Sequence, residues 1–292
     1  MKASVRHTAL PLLAAMIWGT AFSAQSVCAT HIGPFTLNAL RGAVAFLLLL
    51  LLCLFRRNRN LGSWRDLALG GLCCGTALFL GSNLQQLGLG GSSAGKAGFL
   101  TAMYIVIVPA AGIFFGKKAP VRVWLAVAVA VVGMYFLCIT EDFSVSFSDL
   151  CILLCAFLFA AQILAVDHFA GRVDGIALSC AQFLVLTLFS AIGMCAVETP
   201  SAAEIVVCLW PLLYIAVFSS CVAYTFQILA QKDANPAVIS LLLSLESVFA
   251  VLGGAVLLGE RLTAREGLGC ALMMGAIVLA QLPTRKAQRK SV

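Results

Sequence analysis

Charge is what this chain has least of. Only 11% of its 292 residues are Asp, Glu, Lys or Arg, against roughly 25% in a soluble domain. Another 62% are hydrophobic, where roughly 45 to 50% is usual. That balance excludes a water-soluble globule. Histidine is scarcer still: His7, His31 and His168 are scattered near the ends of apolar runs, and no HExxH pattern occurs, so zinc chemistry of that kind has no ligands. The net charge of +7 does not point to nucleic acid. Such binding needs basic residues gathered on one exposed face, and here they sit in short gaps between apolar runs. Cysteine is plentiful, yet all twelve (Cys28, Cys53, Cys73, Cys74, Cys138, Cys151, Cys155, Cys180, Cys195, Cys208, Cys221 and Cys270) fall inside apolar segments. They read as small buried hydrophobes, neither disulfides nor metal ligands. No metal or cofactor is expected.

What remains is apolar runs. One bilayer-spanning helix takes roughly 20 residues, and the runs broken by charge, Gly, Pro and Asn number ten: 8–28, 34–55, 67–88, 94–115, 121–139, 149–169, 175–197, 207–229, 236–258 and 267–283. They leave no room for a separate soluble domain. Gly88, Gly90, Gly91 and Ser92 interrupt the third and fourth without any charge, which reads as a tight turn at the membrane surface, since irregular backbone cannot face lipid. The first run, behind Lys2 and Arg6, is longer than the apolar core of about 7 to 15 residues in a cleaved signal peptide, and it is read as retained.

Lys and Arg are held on the cytoplasmic side of membranes. With the N-terminus inside, the cytoplasmic pieces carry Lys2, Arg6, Arg56, Arg57, Arg59, Arg65, Lys117, Lys118, Arg122, Arg172, Lys232, Arg285, Lys286, Arg289 and Lys290, which is 15 of the 19. The opposite loops hold Arg261 and Arg265 and are acidic at Glu141, Asp142, Asp149, Glu198 and Glu204. Both termini are therefore expected in the cytoplasm, in a bacterial-type inner (cell) membrane.

The chain also repeats itself at an offset of about 141 to 143 residues. Leu37-Asn38-Ala39-Leu40-Arg41 aligns with Leu178-Ser179-Cys180-Ala181-Gln182, Gln85 with Gln227, and Gly116-Lys117-Lys118 with Gly259-Glu260-Arg261. Residues 1–140 and 148–283 then form two five-span halves, followed by a basic tail at 284–292. An odd number of spans per half inserts the second half upside down. The expected fold is an all-α integral membrane protein of ten transmembrane helices in two inverted five-helix repeats, an arrangement suited to alternating access about a central site.

Several stretches carry a resemblance. Trp18-Gly19-Thr20 with Phe22, Pro34 followed by Arg41, the run from Ser93-Ala94-Gly95-Lys96-Ala97-Gly98-Phe99 to Pro109, Ala223-Tyr224, and Gly259-Glu260-Arg261-Leu262 together resemble the EamA family of the drug/metabolite transporter superfamily. Two places depart from its pattern: the first half reads Gly116-Lys117-Lys118 where the family has Gly-Glu, and Glu246-Ser247 stands where the ninth span often has a proline. The resemblance implies a ten-helix transporter whose cavity is lined by the first, third, fourth, sixth, eighth and ninth helices. It implies no single substrate, because the family handles amino acids, other metabolites and toxic compounds.

Polar residues at bilayer depth are costly and mark functional sites by default. Glu246 lies about ten residues, hence about 15 Å, into the ninth span, which is mid-bilayer. The repeat offset pairs it with Tyr104 or Met103, so Tyr104 is positioned to hydrogen-bond it. Glu246 reads as a proton-coupling carboxylate or as the counter-ion of an amino group, with a hydrogen-bonded structural role as the alternative. Asn83 and Gln86, beside Ser82 and Gln85 in the third span, and Tyr224 and Gln227 in the eighth suit a polar solute or bonds between helices. Trp18, Tyr104 and Gln162 fall on helices the resemblance makes cavity-lining, and Lys96 is either a gate or substrate contact or a snorkelling lysine. Arg41 is read as a fixed clamp between helix ends rather than an anion contact, because its repeat mate is the uncharged Gln182.

The function read from these features is a secondary transporter, acting in export, of small polar metabolites such as amino acids or related compounds. Its partners are a small-molecule substrate, the lipid bilayer and possible coupling protons, but no nucleic acid, and either a monomer or a homodimer is compatible. A sensor or scaffold without flux is the first alternative. An intramembrane enzyme is the weaker one, since no second carboxylate accompanies Glu246 at depth.

Overall fold

The computed structural model describes residues 3–56, 61–92, 94–116, 119–138, 146–232, 234–258 and 263–281. Outside them fall Ser93, Lys117-Lys118, the loop around Glu141 and Asp142, Gly259-Glu260-Arg261-Leu262, Arg57 and the tail at 284–292. Among the described residues the backbone is helical apart from turns and one isolated bridge between Gly62 and Val173. That follows from composition, because only a helix satisfies every amide within its own segment where no water is present.

In chain order the helices are α1 (Ala3–Ala29), α2 (Pro34–Phe55), α3 (Trp64–Leu89), α4 (Ala94–Thr101), α5 (Tyr104–Phe114), α6 (Val121–Cys138), α7 (Phe147–Phe169), α8 (Gly175–Val197), α9 (Ala202–Val207), α10 (Leu209–Tyr214), a π-helix (Ile215–Ala223), α11 (Tyr224–Gln231), α12 (Pro236–Leu243), α13 (Glu246–Leu258) and α14 (Ala264–Gln281). Among the described residues, seven helical stretches are long and apolar enough to cross a membrane: Arg6–Ala29, Pro34–Phe55, Trp64–Leu89, Lys96–Phe114, Phe147–Phe169, Gly175–Val197 and Leu209–Gln231. Val121–Phe136, Pro236–Leu252 and Gly267–Ala280 are apolar but shorter. Six of these ten lie within the runs read from the sequence, while Arg6–Ala29, Trp64–Leu89, Phe147–Phe169 and Leu209–Gln231 overrun theirs by one to three residues at one or both ends.

Helix starts are tied down locally. Ser146 and Asp149 form a reciprocal capping box on α7, Asp174 accepts from the amides of Ile176 and Ala177 on α8, and Asn235 accepts from Ala237 on α12. Each satisfies amides that the first turn leaves without partners. Pro34 opens α2, where a missing N–H costs nothing, and the next amides, of Phe35 and Thr36, donate to the Glu198 carboxylate at the far end of α8. At the other end of the same pair, Arg56 closes α2 and grips Asp174 at 3.0 Å. Thus α2 and α8 are clasped at both ends. Gly116 follows the end of α5 with φ of +73°, a left-handed helix stop that glycine adopts without steric cost.

The bundle is polar within and apolar without. Asn38, Arg41, Gln85, Gln162, Gln182, Gln227 and Glu246 are buried, while Leu47, Leu51, Leu54, Phe114, Leu125, Leu154 and Leu188 are exposed. In water such a surface would aggregate; facing lipid it is matched. The cysteines only partly follow the reading of small buried hydrophobes. Cys73 and Cys195 are exposed, because an apolar outer face tolerates cysteine as readily as the core does. α3 packs on α7 and α8, α2 on α8, α6 on α14 and α1 on α13.

Two helices are broken in matching places. α4 and α12 each run eight residues, stop for two, and resume as α5 and α13, with residue numbers differing by 142 throughout. The hydrogen bonds at the breaks also match. Met103 N donates to Leu100 O and Ile105 N to Ala102 O; Leu245 N donates to Leu242 O and Ser247 N to Ser244 O. These are the tighter i→i+3 bonds of a 3₁₀ turn. At the second break the hydroxyls of Ser240 and Ser244 turn back onto the carbonyls of Ala237 and Leu241. Such back-bonding loosens a helix.

Candidate central cavity

Both breaks open onto one polar cavity. Its walls are Trp18, Phe22 and Gln25 of α1, Arg41 of α2, Gln85 of α3, Thr101 and Tyr104 at the first break, Phe159, Gln162 and Ile163 of α7, Ser219 of the π-helix, Tyr224 and Gln227 of α11, and Leu243 and Glu246 at the second break. It holds about 40 Å³ of water-accessible space, room for about three water molecules at 10 to 15 Å³ each. As it stands the cavity is too small to hold a metabolite.

Glu246 is the first residue of α13, Tyr104 the first of α5, and the Tyr104 hydroxyl donates to Glu246 Oε1 at 3.1 Å. This is the contact the repeat offset predicted. Glu246 is 4% exposed, and no other carboxylate lines the cavity among the described residues. Opposite it, the Trp18 ring lies 4.7 Å from that of Tyr224 and its indole N–H donates to Ser219 O. The π-helix brings that carbonyl inward, consistent with the habit of π-turns to appear at functional sites. Gly19, next in the chain, sets α1 against α13: a β-carbon there would stand 2.6 Å from Glu246 O and 2.8 Å from Ala250 N.

One wall is a ladder of amides. Gln162 Nε2 donates to Gln182 Oε1, Gln227 Nε2 to both Gln162 Oε1 and Gln231 Oε1, and Gln231 Nε2 to Ile163 O. Gln162 and Gln227 reach the cavity, and Gln182 and Gln231 stand behind and hold them. Across the cavity, Gln85 donates to Thr101 Oγ1 at 3.2 Å.

Six of the nine residues expected at a substrate site thus meet here: Trp18, Tyr104, Gln162, Tyr224, Gln227 and Glu246. Three do not. Asn83 donates to Phe79 O and Ser190 Oγ, tying α3 to α8; Gln86 donates to Gln25 O, tying α3 to α1; and Lys96 pairs with Asp149 at 2.7 Å, fastening α4 to the start of α7. Gln85 is the third-span amide that faces inward. At about 100° per residue its neighbours point elsewhere, and the facing direction of α3 was not readable without its partners. Arg41, read as a clamp, has its Nε held by Asn38 Oδ1 at 2.7 Å and also lines the cavity. It adds α2 to the six helices that the resemblance implied.

Such a body of membrane-crossing helices around a small cavity lined by polar and aromatic side chains is a multi-pass membrane protein of the transporter class. The chain belongs to the EamA-like transporter family, whose profile matches residues 8–139 and again 146–282, and hence to the drug/metabolite transporter superfamily. It is 31% identical, over 92% of its length and 84% of the relative's, to an uncharacterized transporter of Archaeoglobus fulgidus. A protein of known crystal structure, 18% identical, shares the fold with a TM-score of 0.78 over 98% of this chain and 99% of that one.

Proposed function

We propose that the chain is a secondary transporter of small polar metabolites, amino acids or related compounds, working in export by alternating access. In this reading residues 1–140 and 148–283 are two inverted repeats of five transmembrane helices each, with both termini cytoplasmic. The observation that carries it is the pair of matched breaks meeting at Tyr104 and Glu246. Broken helices at the bilayer midplane are where transporters of this architecture hold their solutes, and rocking one half against the other opens the site to each side in turn. The two matches of one family profile, in the first and second parts of the chain, support the duplication.

The cavity walls suit such a cargo. Gln85, Gln162 and Gln227 offer donors and acceptors without a charge to desolvate, while Trp18, Phe22, Phe159 and Tyr224 offer apolar and aromatic area. Because the cavity has room for only about three waters, a metabolite enters in this reading by parting α4–α5 and α12–α13 at their breaks. Glu246 either exchanges a proton with each cycle or balances the amino group of the solute. Full-length protein in proteoliposomes, given a panel of labelled amino acids with and without an imposed pH gradient, tests the proposal. Saturable flux of at least one member supports it, and acceleration by the gradient assigns proton coupling. Complete absence of flux across the panel and in both gradient directions removes the amino-acid reading.

A further inference from the structure

Arg41 is the cavity residue that the preceding reading leaves unused. It is 3% exposed, and its Nε donates to Asn38 Oδ1. Among the described residues its two terminal amino groups make no hydrogen bond, and the two ion pairs, Arg56–Asp174 and Lys96–Asp149, lie elsewhere. Glu246 lines the same cavity but stands beyond ion-pair distance of Arg41. Asn38 Nδ2, on the amide that holds Arg41, is also buried without an acceptor. Positive donors are therefore in excess on this wall. A buried guanidinium with no counter-ion is strongly unfavourable, and an ionisable group kept at bilayer depth marks a ligand or a pathway. Arg41 cannot be explained by snorkelling, because it faces the cavity rather than the membrane surface.

We propose that Arg41 recognises an anionic group on the transported solute, a carboxylate in particular. This rests on the transporter reading above. Asn38 is a positioning residue: by occupying Nε it leaves the two terminal amino groups free, a planar fork that matches the two oxygens of a carboxylate. Because Arg41 and Glu246 do not neutralise each other, a solute bearing both a carboxylate and an amino group satisfies both walls at once. Lysine does not supply the fork, and the repeat mate Gln182 is already engaged with Gln162, so the cavity recognises charge asymmetrically although its helices match.

The test is carried out in proteoliposomes with the twenty common L-amino acids and their carboxamides as probes. Wild-type protein is expected to carry at least one amino acid whose carboxamide competes at least about tenfold less well. Arg41→Gln should raise the KM for that amino acid by roughly 10- to 100-fold, the worth of a charge-assisted hydrogen bond, and should erase the preference for acid over amide. Arg41→Lys should fall between, keeping the charge but losing the fork. Wild-type protein that does not distinguish acid from amide overturns the assignment without any variant being made. A folded Arg41→Gln or Arg41→Lys protein with wild-type KM and selectivity overturns it as well, while leaving the transporter reading intact. Absence of flux for every probe in the wild type overturns both.

Discussion

At the scale of single residues, the contact between Tyr104 and Glu246 stands apart because arithmetic on the sequence anticipated it. Under the proposed inverted repeat, two residues related by an axis through the midplane approach each other there, and these two meet at 3.1 Å. Their chemistry is complementary rather than identical: the phenol donates and the carboxyl accepts. Glu246→Gln preserves shape and hydrogen bonding but has no proton to release. It is expected to reach the membrane in normal yield and to lose the acceleration of flux by a pH gradient; a response to the gradient equal to that of the wild type would place Glu246 among the structural residues. Tyr104→Phe removes only the donor. Flux should persist with a displaced pH profile, and an unmoved profile would show that the phenol does not act on the carboxyl. Lys96 tells the opposite story. Its amino group serves Asp149, which also accepts from Ser146 N, Ser146 Oγ and Ser92 Oγ. Lys96→Met should therefore lower thermal stability and leave the ranking of substrates as it was. A changed ranking would return Lys96 to the pathway.

At the scale of elements, the site depends on helices that are interrupted. An unbroken helix keeps its amides and carbonyls for itself, whereas the turns at Ala102-Met103 and Ser244-Leu245 give α5 and α13 new starting points in the middle of the bundle. Close approach makes the second of these possible. Gly19 lets the backbone of α1 touch that of α13 beside Glu246, and the atoms in the way of a side chain there are main chain, which cannot turn aside. Gly19→Val should cost about 1 to 3 kcal/mol by overpacking, read as a lower melting temperature and reduced folded yield before any change in substrate choice. Normal yield and stability together with altered selectivity would mean that α1 and α13 part more easily than this contact implies.

At the scale of the whole molecule, α2 and α8 act as a central pair joined at both ends. Glu198 holds the start of α2 and Arg56 holds the start of α8, and in the proposed transport cycle the two helices keep their places while the broken helices part. The proposed orientation can be tested on this body. Ser201 and Gly171 are exposed and lie beyond opposite ends of α8, and with the termini cytoplasmic, as proposed, only the end bearing Ser201 would face outward. A membrane-impermeant thiol reagent added to intact cells should label Ser201→Cys and spare Gly171→Cys. Equal labelling of both, or labelling of Gly171→Cys alone, would reverse or abolish the proposed orientation.

The sequence by itself determined that the chain is helical and membrane-embedded, because 62% hydrophobic residues with 11% charge leave a helix as the form in which each run can satisfy its own backbone. It also determined where the runs lie and that Glu246 aligns with Tyr104 or Met103, since both are matters of position along the chain. It did not determine which polar side chains share a space. Asn83, Gln85 and Gln86 are equivalent by composition, and only the packing of α3 against α7 and α8 turned Gln85 toward the cavity and the other two toward neighbouring helices. Lys96 read equally as a gate or substrate contact and as a snorkelling lysine, and the sequence did not show that the start of α7 brings Asp149 beside it. Arg41 read as a clamp, and the sequence did not show that it also lines the cavity without a carboxylate partner among the described residues. Periodicity states which residues of one helix share a face, but the partner each face meets is a property of several helices packed together, and that is decided only in three dimensions.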